Sequence, residues 1–238
     1  MYSTPMFQIN GFTLLDAGAL VLFFACWVGH FYVTNCSRWR TRTITAKMAQ
    51  MREQWMLNVV HRGNSDSPID AIIQTGLQQG VLFFASTTVL IIGGLVAALG
   101  AADKGVKVLQ HLPLVNTNSI VEWEVKILLL IFIFVMAFFK FAWSYRLYNY
   151  ILIMMGATPK SKPSEAELIQ YAKKLALLHA LGAKHFTTGL NAYFFALAAF
   201  AWFINAWLFM AATLWVLLVL YRRAFRSEFL RILNASTH

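Results

Sequence analysis

The sequence predicts an all-α fold, a polytopic transmembrane helical bundle with amphipathic cytoplasmic helices. Three observations carry this. Hydrophobic residues make up 59% of the chain and charged residues only 13%, against about 25% charged in a soluble domain. The apolar residues gather in four blocks, 12–33, 81–102, 127–155 and 186–221. The last block runs for 36 positions without one charged side chain. As a single helix it would be about 54 Å long, against a hydrocarbon core of about 30 Å.

The first block is read as a retained membrane segment, about 12–34. Residues 1–10 hold no Lys or Arg and no small-x-small site follows the block, so the pattern is not that of a signal peptide. Asp16, Leu20, Phe23, Trp27 and His30 share one face by their spacing. Polar groups at both ends of one stripe mark either a proton or ion path, or interface residues tucked into the bundle. The two cysteines, Cys26 and Cys36, form no CxxC pair, which gives a zinc or redox site no support.

An amphipathic helix is predicted over about 42–61. Ile44, Met48, Met51, Trp55 and Val59 recur at spacings of four and three, which makes one apolar face. Such a helix lies on the inner leaflet or docks under the bundle. Ser67-Pro68 is a helix start, with Ser67 as N-cap and Pro68 at the first helical position. The helix runs on into a second membrane segment, about 77–102. Thr75, Gln79, Ser86, Gly93 and Ala97 fall near one stripe, with Gln74 and Gln78 beside it. Small residues permit close helix approach and amides bond between helices. Gly76, Gly80, Gly93 and Gly94 are therefore expected at a packed interface. A pore lining is the alternative.

The third segment, about 126–155, carries Lys140. An ionisable group in a bilayer costs roughly 2.5–3.5 kcal/mol on insertion scales, so it needs a reason. Lys140 lines up approximately with Ala137, Ser144 and Tyr148. It either faces a cavity that holds an anionic head group or solute, or snorkels to the interface on its long stem. Arg146, further along, reads as an interface anchor.

Ser164 and Glu167 after Pro163 form a capping box. They open a second amphipathic helix, about 164–184, with Leu168, Tyr171, Leu175 and Leu178 on one side. The last block is read as a hairpin of two segments, about 186–203 and 206–221. Its length suits two short spans, Trp202 and Trp207 flank Asn205 at its middle, and Arg222, Arg223, Arg226 and Arg231 follow it. Tryptophan favours the membrane interface. One tilted helix with a cytoplasmic extension is the competing arrangement. Thr187 and Asn191, at i and i+4, read as helix-helix glue. One domain, 1–238, accommodates all of these elements.

Charge sets the expected topology. The net charge is +10 and the sequence pI about 9.8. The basic residues lie beside apolar blocks, which points to anionic lipid heads as partners and not to nucleic acid. The first and third loops are basic and the second is balanced. Positive loops stay cytoplasmic, so the N-terminus is expected outside and the C-terminus in the cytoplasm of a bacterial inner membrane.

Motifs for catalysis are missing. Nothing resembles HExxH, a P-loop, GxSxG or GxGxxG, and the chain is read as a non-enzyme without a cofactor. Among the histidines, His30 and His185 both sit near the expected inner surface, which makes a haem bridged by them the third functional reading.

Four stretches together resemble a known family. They are QTGLQQGVLFFAS from Gln74 to Ser86 with the following Gly93-Gly94, FFKFAWSYRLYN from Phe138 to Asn149, HFTTGLNAYFF from His185 to Phe195, and LYRRAFR from Leu220 to Arg226. Their order and spacing are similar to those of the bacterial and plant membrane family catalogued as domain of unknown function 599. The resemblance implies a helical inner-membrane protein and carries no activity. The expected function is a non-enzymatic membrane subunit or scaffold, a homo-oligomer or part of a larger complex. The alternative is a channel or transporter for a small anionic solute, built on Lys140, Ser144, Gln79, Ser86, Asp16 and His30.

Overall fold

The computed structural model describes residues 12–36, 43–62, 68–110, 119–159, 163–226 and 228–235. Ser67, the basic residues Arg38, Arg40, Arg42, Lys160 and Lys162, and the C-terminal His238 lie outside the described residues. The helices are α1 (Leu14–Asn35), α2 (Ile44–Arg62), α3 (Pro68–Gly100), α4 (Ala102–Gln110), α5 (Ile120–Gly156), α6 (Glu165–Phe200), α7 (Ala206–Phe225) and α8 (Glu228–Ala235). Among them, 5 are long and apolar enough to cross a membrane: α1, α3, α5, α7, and α6 with the 3-10 turn that extends it. The protein is a multi-pass transmembrane helical bundle.

Helix ends follow local chemistry. Thr13 caps α1, and Asp16 closes a capping box with it. Ser119 caps α5 by accepting from the Glu122 N–H. Ser164 and Glu167 form the predicted box at α6. Each side-chain oxygen satisfies an N–H that has no intrahelical partner. Asn205 does the same for α7, accepting from the Leu208 N–H at 2.7 Å. The last apolar block is thereby broken: α6 ends at Phe200, a 3-10 turn covers Ala201–Phe203, and Asn205 starts the return. The turn falls where length and the two tryptophans place it.

The amphipathic segment 164–184 and the segment from 186 onward are one helix, not two. No Gly-Pro break separates them, and α6 continues through Lys184 and His185 for 36 residues, about 54 Å. α3 and α5 are similarly long, with 33 and 37 residues. They too project beyond a 30 Å core. The projecting ends of α3, α5 and α6 gather beside α2, which packs on α6 and touches α7. This is the basic end of the bundle. The bundle itself runs α3, α5, α6, α7, α1, each packed on the next. Two short helices, α4 and α8, were not expected; α4 docks on the start of α5.

Two faces differ from expectation. On α3 the buried residues are Asp70, Gln74, Gln78, Val81, Ala85, Thr88 and Leu95. Thr75, Gln79, Ser86, Gly93 and Ala97 all face outward. A Cβ added at Gly76, Gly80, Gly93 or Gly94 would meet nothing within 4 Å, so these glycines pack against no helix among the described residues. The reason is that lipid is as apolar as a protein core, so small residues do not by themselves reveal the inner side. On α2 the buried residues are Met56 and Val60, while Met51 is 43% exposed. Trp55 and Val59 of the predicted stripe pack against the core, so α2 docks on α6 with a face that overlaps that stripe and leaves Met51 at its edge.

Three described glycines do permit close packing: Gly105 on α4, against the Trp123 ring, and Gly182 and Gly189 on α6. A Cβ would come within 2.7 Å of the Tyr148 ring at Gly182 and 2.5 Å of the Phe141 ring at Gly189. Both of these close approaches lie in the α5–α6 contact.

Candidate functional site

The polar side chains of the interior fall into layers along the bundle. At the end opposite α2, the Trp202 indole N–H donates to Asp16 at 2.8 Å. Thr13 donates to the same carboxylate through its hydroxyl at 2.7 Å and its backbone N–H at 3.1 Å. Lys126 sits 5.5 Å from the Trp202 ring centroid and 4.0 Å from Glu122, and both charged side chains are buried. Asp16 thus locks α1 to the α6–α7 turn. His30, at the other end of the same α1 face, is separated from it by Phe23 and Trp27, which pack with Phe195 and Phe209. An aromatic block fills the stripe between the two polar groups, so the face does not form a polar path.

In the middle layer, single hydrogen bonds tie the long helices. The hydroxyls of Thr88 and Tyr193 lie 2.7 Å apart. Gln78 donates to Asn149 at 2.6 Å, and Ser144 donates to the Gly182 carbonyl at 2.8 Å. Ser144 is therefore helix-helix glue. Lys140 does not share its environment: it lies half-buried on the flank of α5, near His185. Ala137, Phe141, Ser144 and Tyr148 are buried, and Lys140 is one helical step off that stripe. The residues singled out from sequence are not brought together. Gln79 and Ser86 face outward, Ser144 is inside, and Asp16 and His30 stand at opposite ends.

The two histidines weighed as haem ligands are also apart in environment. His30 meets Asn191 at 3.4 Å, Nε2 to Nδ2, and the ring of Phe195. His185 meets the ring of Trp143 on α5. They lie on different sides of α6.

At the basic end the structure assembles a group that sequence reading did not single out. His179 packs between Trp55 and Tyr148, with ring centroids at 5.4 and 5.2 Å. Both of its ring nitrogens are buried without a hydrogen-bond partner, as are both polar atoms of the Gln74 amide and one terminal nitrogen of Arg52. Arg52 interacts electrostatically with His179 and Tyr148, and burial pushes its guanidinium down from its usual range. Gln74 belongs to the same layer by its place on α3. One turn before it, Asp70 accepts from Trp55 at 2.7 Å and from Arg62 at 2.8 Å. One turn after it, Gln78 reaches Asn149. A signal for Arg52 was present in the sequence: it stands at i+4 from Met48 and i−3 from Trp55, a cation on an apolar face.

A second feature at this end is a cleft of about 690 Å³ between α1, α2, α6 and α7. His30, Asn191, Lys184 and Arg223 contribute polar groups to it. Thr187, the i−4 neighbour of Asn191, lines it as well, and Asn191 also meets His30 of α1, so the pair borders a cavity while its Asn side chain reaches another helix.

No curated protein and no solved structure matches this chain. The family model described as "Protein of unknown function, DUF599" matches residues 18–229, which is most of the sequence, and the chain belongs to that family.

Proposed function

We propose that this protein is a non-enzymatic subunit of a multi-pass membrane assembly, and that it associates with copies of itself through the outward face of α3. The observation that supports this is the character of that face. Gly76, Gly80, Gly93 and Gly94 are open to the outside, and the exposed Gln79 and Ser86 share the surface with them. Small residues let a second backbone approach closely, and an amide or hydroxyl facing lipid gains a partner only from another helix. A second copy of the chain offers the same complementary surface about a two-fold axis.

The same reading places the protein in a bacterial inner membrane, with the basic end in the cytoplasm. Lys173, Lys174, Lys184, Arg222 and Arg223 all belong to that end, as the positive-inside rule requires of a cytoplasmic face. Anionic lipids of the inner leaflet are then its lipid neighbours.

Mass measurement of the protein in mild detergent tests assembly. A dimer or higher oligomer is expected for the native chain, and Gly93→Leu or Gly80→Leu should shift it to monomer without lowering the unfolding temperature of the monomer. A native chain that is monomeric in detergent and in nanodiscs would refute the reading.

A transporter for a small anion is the second reading. It draws support from Arg52, a half-buried cation with one buried terminal nitrogen and no carboxylate within ion-pair distance among the described residues, beside the unpartnered His179 and Gln74. Uptake of a labelled anion by proteoliposomes, abolished by Arg52→Gln, would favour it over the subunit reading.

A further inference from the structure

We infer that the cleft between α1, α2, α6 and α7 is a binding site for a phosphate diester, supplied by the head group of an anionic phospholipid. The inference is separate from assembly through α3, which lies across the bundle.

The cations come first. Lys184 of α6 and Arg223 of α7 both line the cleft, and neither has a carboxylate within ion-pair distance among the described residues. No Asp or Glu is among the described residues that line the cleft. Arg223 is held by its contact with the Phe194 ring, 5.8 Å from the guanidinium to the centroid, which orders the side chain without neutralising it. Two positive groups on neighbouring helices, with no negative side chain among the described lining residues, favour an anion.

Backbone and amide groups point the same way. The first turn of α2 opens on the cleft through Thr43, Ile44 and Thr45. Thr43 caps this turn, taking the Ala46 N–H on its hydroxyl at 3.3 Å, and the turn carries the partial positive charge of a helix start, which suits phosphate oxygens. The Asn191 amide and the His30 ring, which is 93% buried by its 7% exposure, offer further polar atoms at the floor. The C-terminal turns of α1 and α7 also border the cleft. Their carbonyls accept hydrogen bonds and carry partial negative charge, so they suit the hydroxyls of a glycerol head group and oppose the phosphate itself, which Lys184, Arg223 and the start of α2 must outweigh.

Size and rim distinguish a lipid from a free anion. A cleft of about 690 Å³ is far larger than one phosphate needs and lies within the range of sites for drug-sized ligands. Its lining includes Leu177 and Leu181, which are 71% and 40% exposed. Apolar side chains at the mouth of a basic cleft suit an amphiphile, whose phosphate enters while its acyl chains lie along the rim. The position beside α2, at the start of the apolar part of α6, is where a head group stands.

The test is native mass spectrometry of the full-length protein with phosphatidylglycerol, phosphatidylcholine or inorganic phosphate, read on the monomer peak. Lys184→Gln/Arg223→Gln is compared with Lys140→Gln, a cation on another face. Phosphatidylglycerol should be retained in preference to phosphatidylcholine. Each cation near an anionic head is worth roughly fivefold in affinity, so the double variant should lose at least about tenfold and Lys140→Gln nothing. Because the double variant can be compromised in folding, a photoactivatable phosphatidylglycerol on the native protein provides a second measurement: its cross-links should fall on residues 177–191 and 220–224. Stabilisation by millimolar inorganic phosphate, lost in the double variant and without lipid preference, would keep the phosphate site and overturn its lipid source. Equal retention of both lipids, equal retention by native and double-variant protein, or cross-links elsewhere would overturn the proposal. Failure of assembly through α3 would leave all these outcomes readable.

Discussion

The indole N–H of Trp202 donates to the carboxylate of Asp16 at 2.8 Å, joining positions 186 residues apart in sequence. Trp202 is fully buried and stacks on Phe209, so the bond ties α1 to the turn that reverses α6 into α7. Replacement by phenylalanine keeps most of the ring and removes the donor. Trp202→Phe should cost about 1.5–3 kcal/mol, the worth of a hydrogen bond to a charged group, here the half-buried Asp16. Thermal unfolding in detergent measures it. An unchanged midpoint would mean that the Thr13 bonds alone hold Asp16.

The glycines divide into two groups with opposite expected behaviour. Gly189→Ala places a methyl 2.5 Å from the Phe141 ring and should destabilise by about 1–3 kcal/mol through overpacking. Gly93→Ala meets nothing within 4 Å and should be neutral or gain up to about 1 kcal/mol from helix propensity. Paired unfolding curves of the two variants, read on the monomer, check the contrast. Equal losses would mean that the inner and outer faces of the bundle are misassigned.

His179 should tolerate an apolar replacement. Both ring nitrogens are buried without a partner, and exchanging an unsatisfied polar group for an apolar one of similar size is neutral or stabilising. His179→Leu is therefore expected to hold or raise the unfolding temperature. A loss above about 2 kcal/mol would show that the imidazole is bound to something in solution, and would direct attention to the anion reading of Arg52.

One pH effect follows from an exposed pair. His61 bonds Glu165 through Nε2 at 2.8 Å and the Leu57 carbonyl through Nδ1 at 2.7 Å. The Glu165 bond first, and the Leu57 carbonyl second, hold the imidazole above its ordinary pKa. Because the folded value is the higher one, the folded state binds more protons. The contribution of this α2–α6 tie is complete below the ordinary value of about 6.5 and is lost as pH rises through the folded value. An NMR titration of the His61 ring should give a midpoint above that of His61 in the Glu165→Gln variant. Coincident midpoints would remove the tie.

Topology has a direct reporter. α6 and α7 are antiparallel about the turn at Ala201–Phe203, so Arg222 and Arg223 return to the end that holds Lys184. A C-terminal green fluorescent protein fusion should fluoresce, and an alkaline phosphatase fusion at the same point should be inactive. An active phosphatase would place the basic end outside.

Helix ends and spans were legible in the sequence because their causes are local. Ser164 and Glu167 cap α6, Asn205 restarts the chain as α7, Pro68 opens α3, and the apolar blocks are long enough to be recognised by length alone. A cap needs only a side-chain oxygen within a turn of the N–H it satisfies, so neighbours in sequence decide it. The junction at Lys184 and His185 was harder, since a change in composition is not a break in hydrogen bonding, and α6 runs through it.

Which face of each helix turns inward was decided only by the tertiary structure. Gln78 is inside and bonded to Asn149, while Gln79 faces out, although one residue separates them. In water the apolar side of a helix would settle the matter, but in a bilayer both sides of α3 are apolar and the solvent exerts no preference. The choice then falls to shape and to pairing across long sequence separation: Tyr148 over Gly182, Phe141 over Gly189, Thr88 with Tyr193. The same holds for Arg52, Gln74 and His179, and for the cleft of Lys184 and Arg223. Their residues come from separate helices, and only the packing of those helices makes them neighbours.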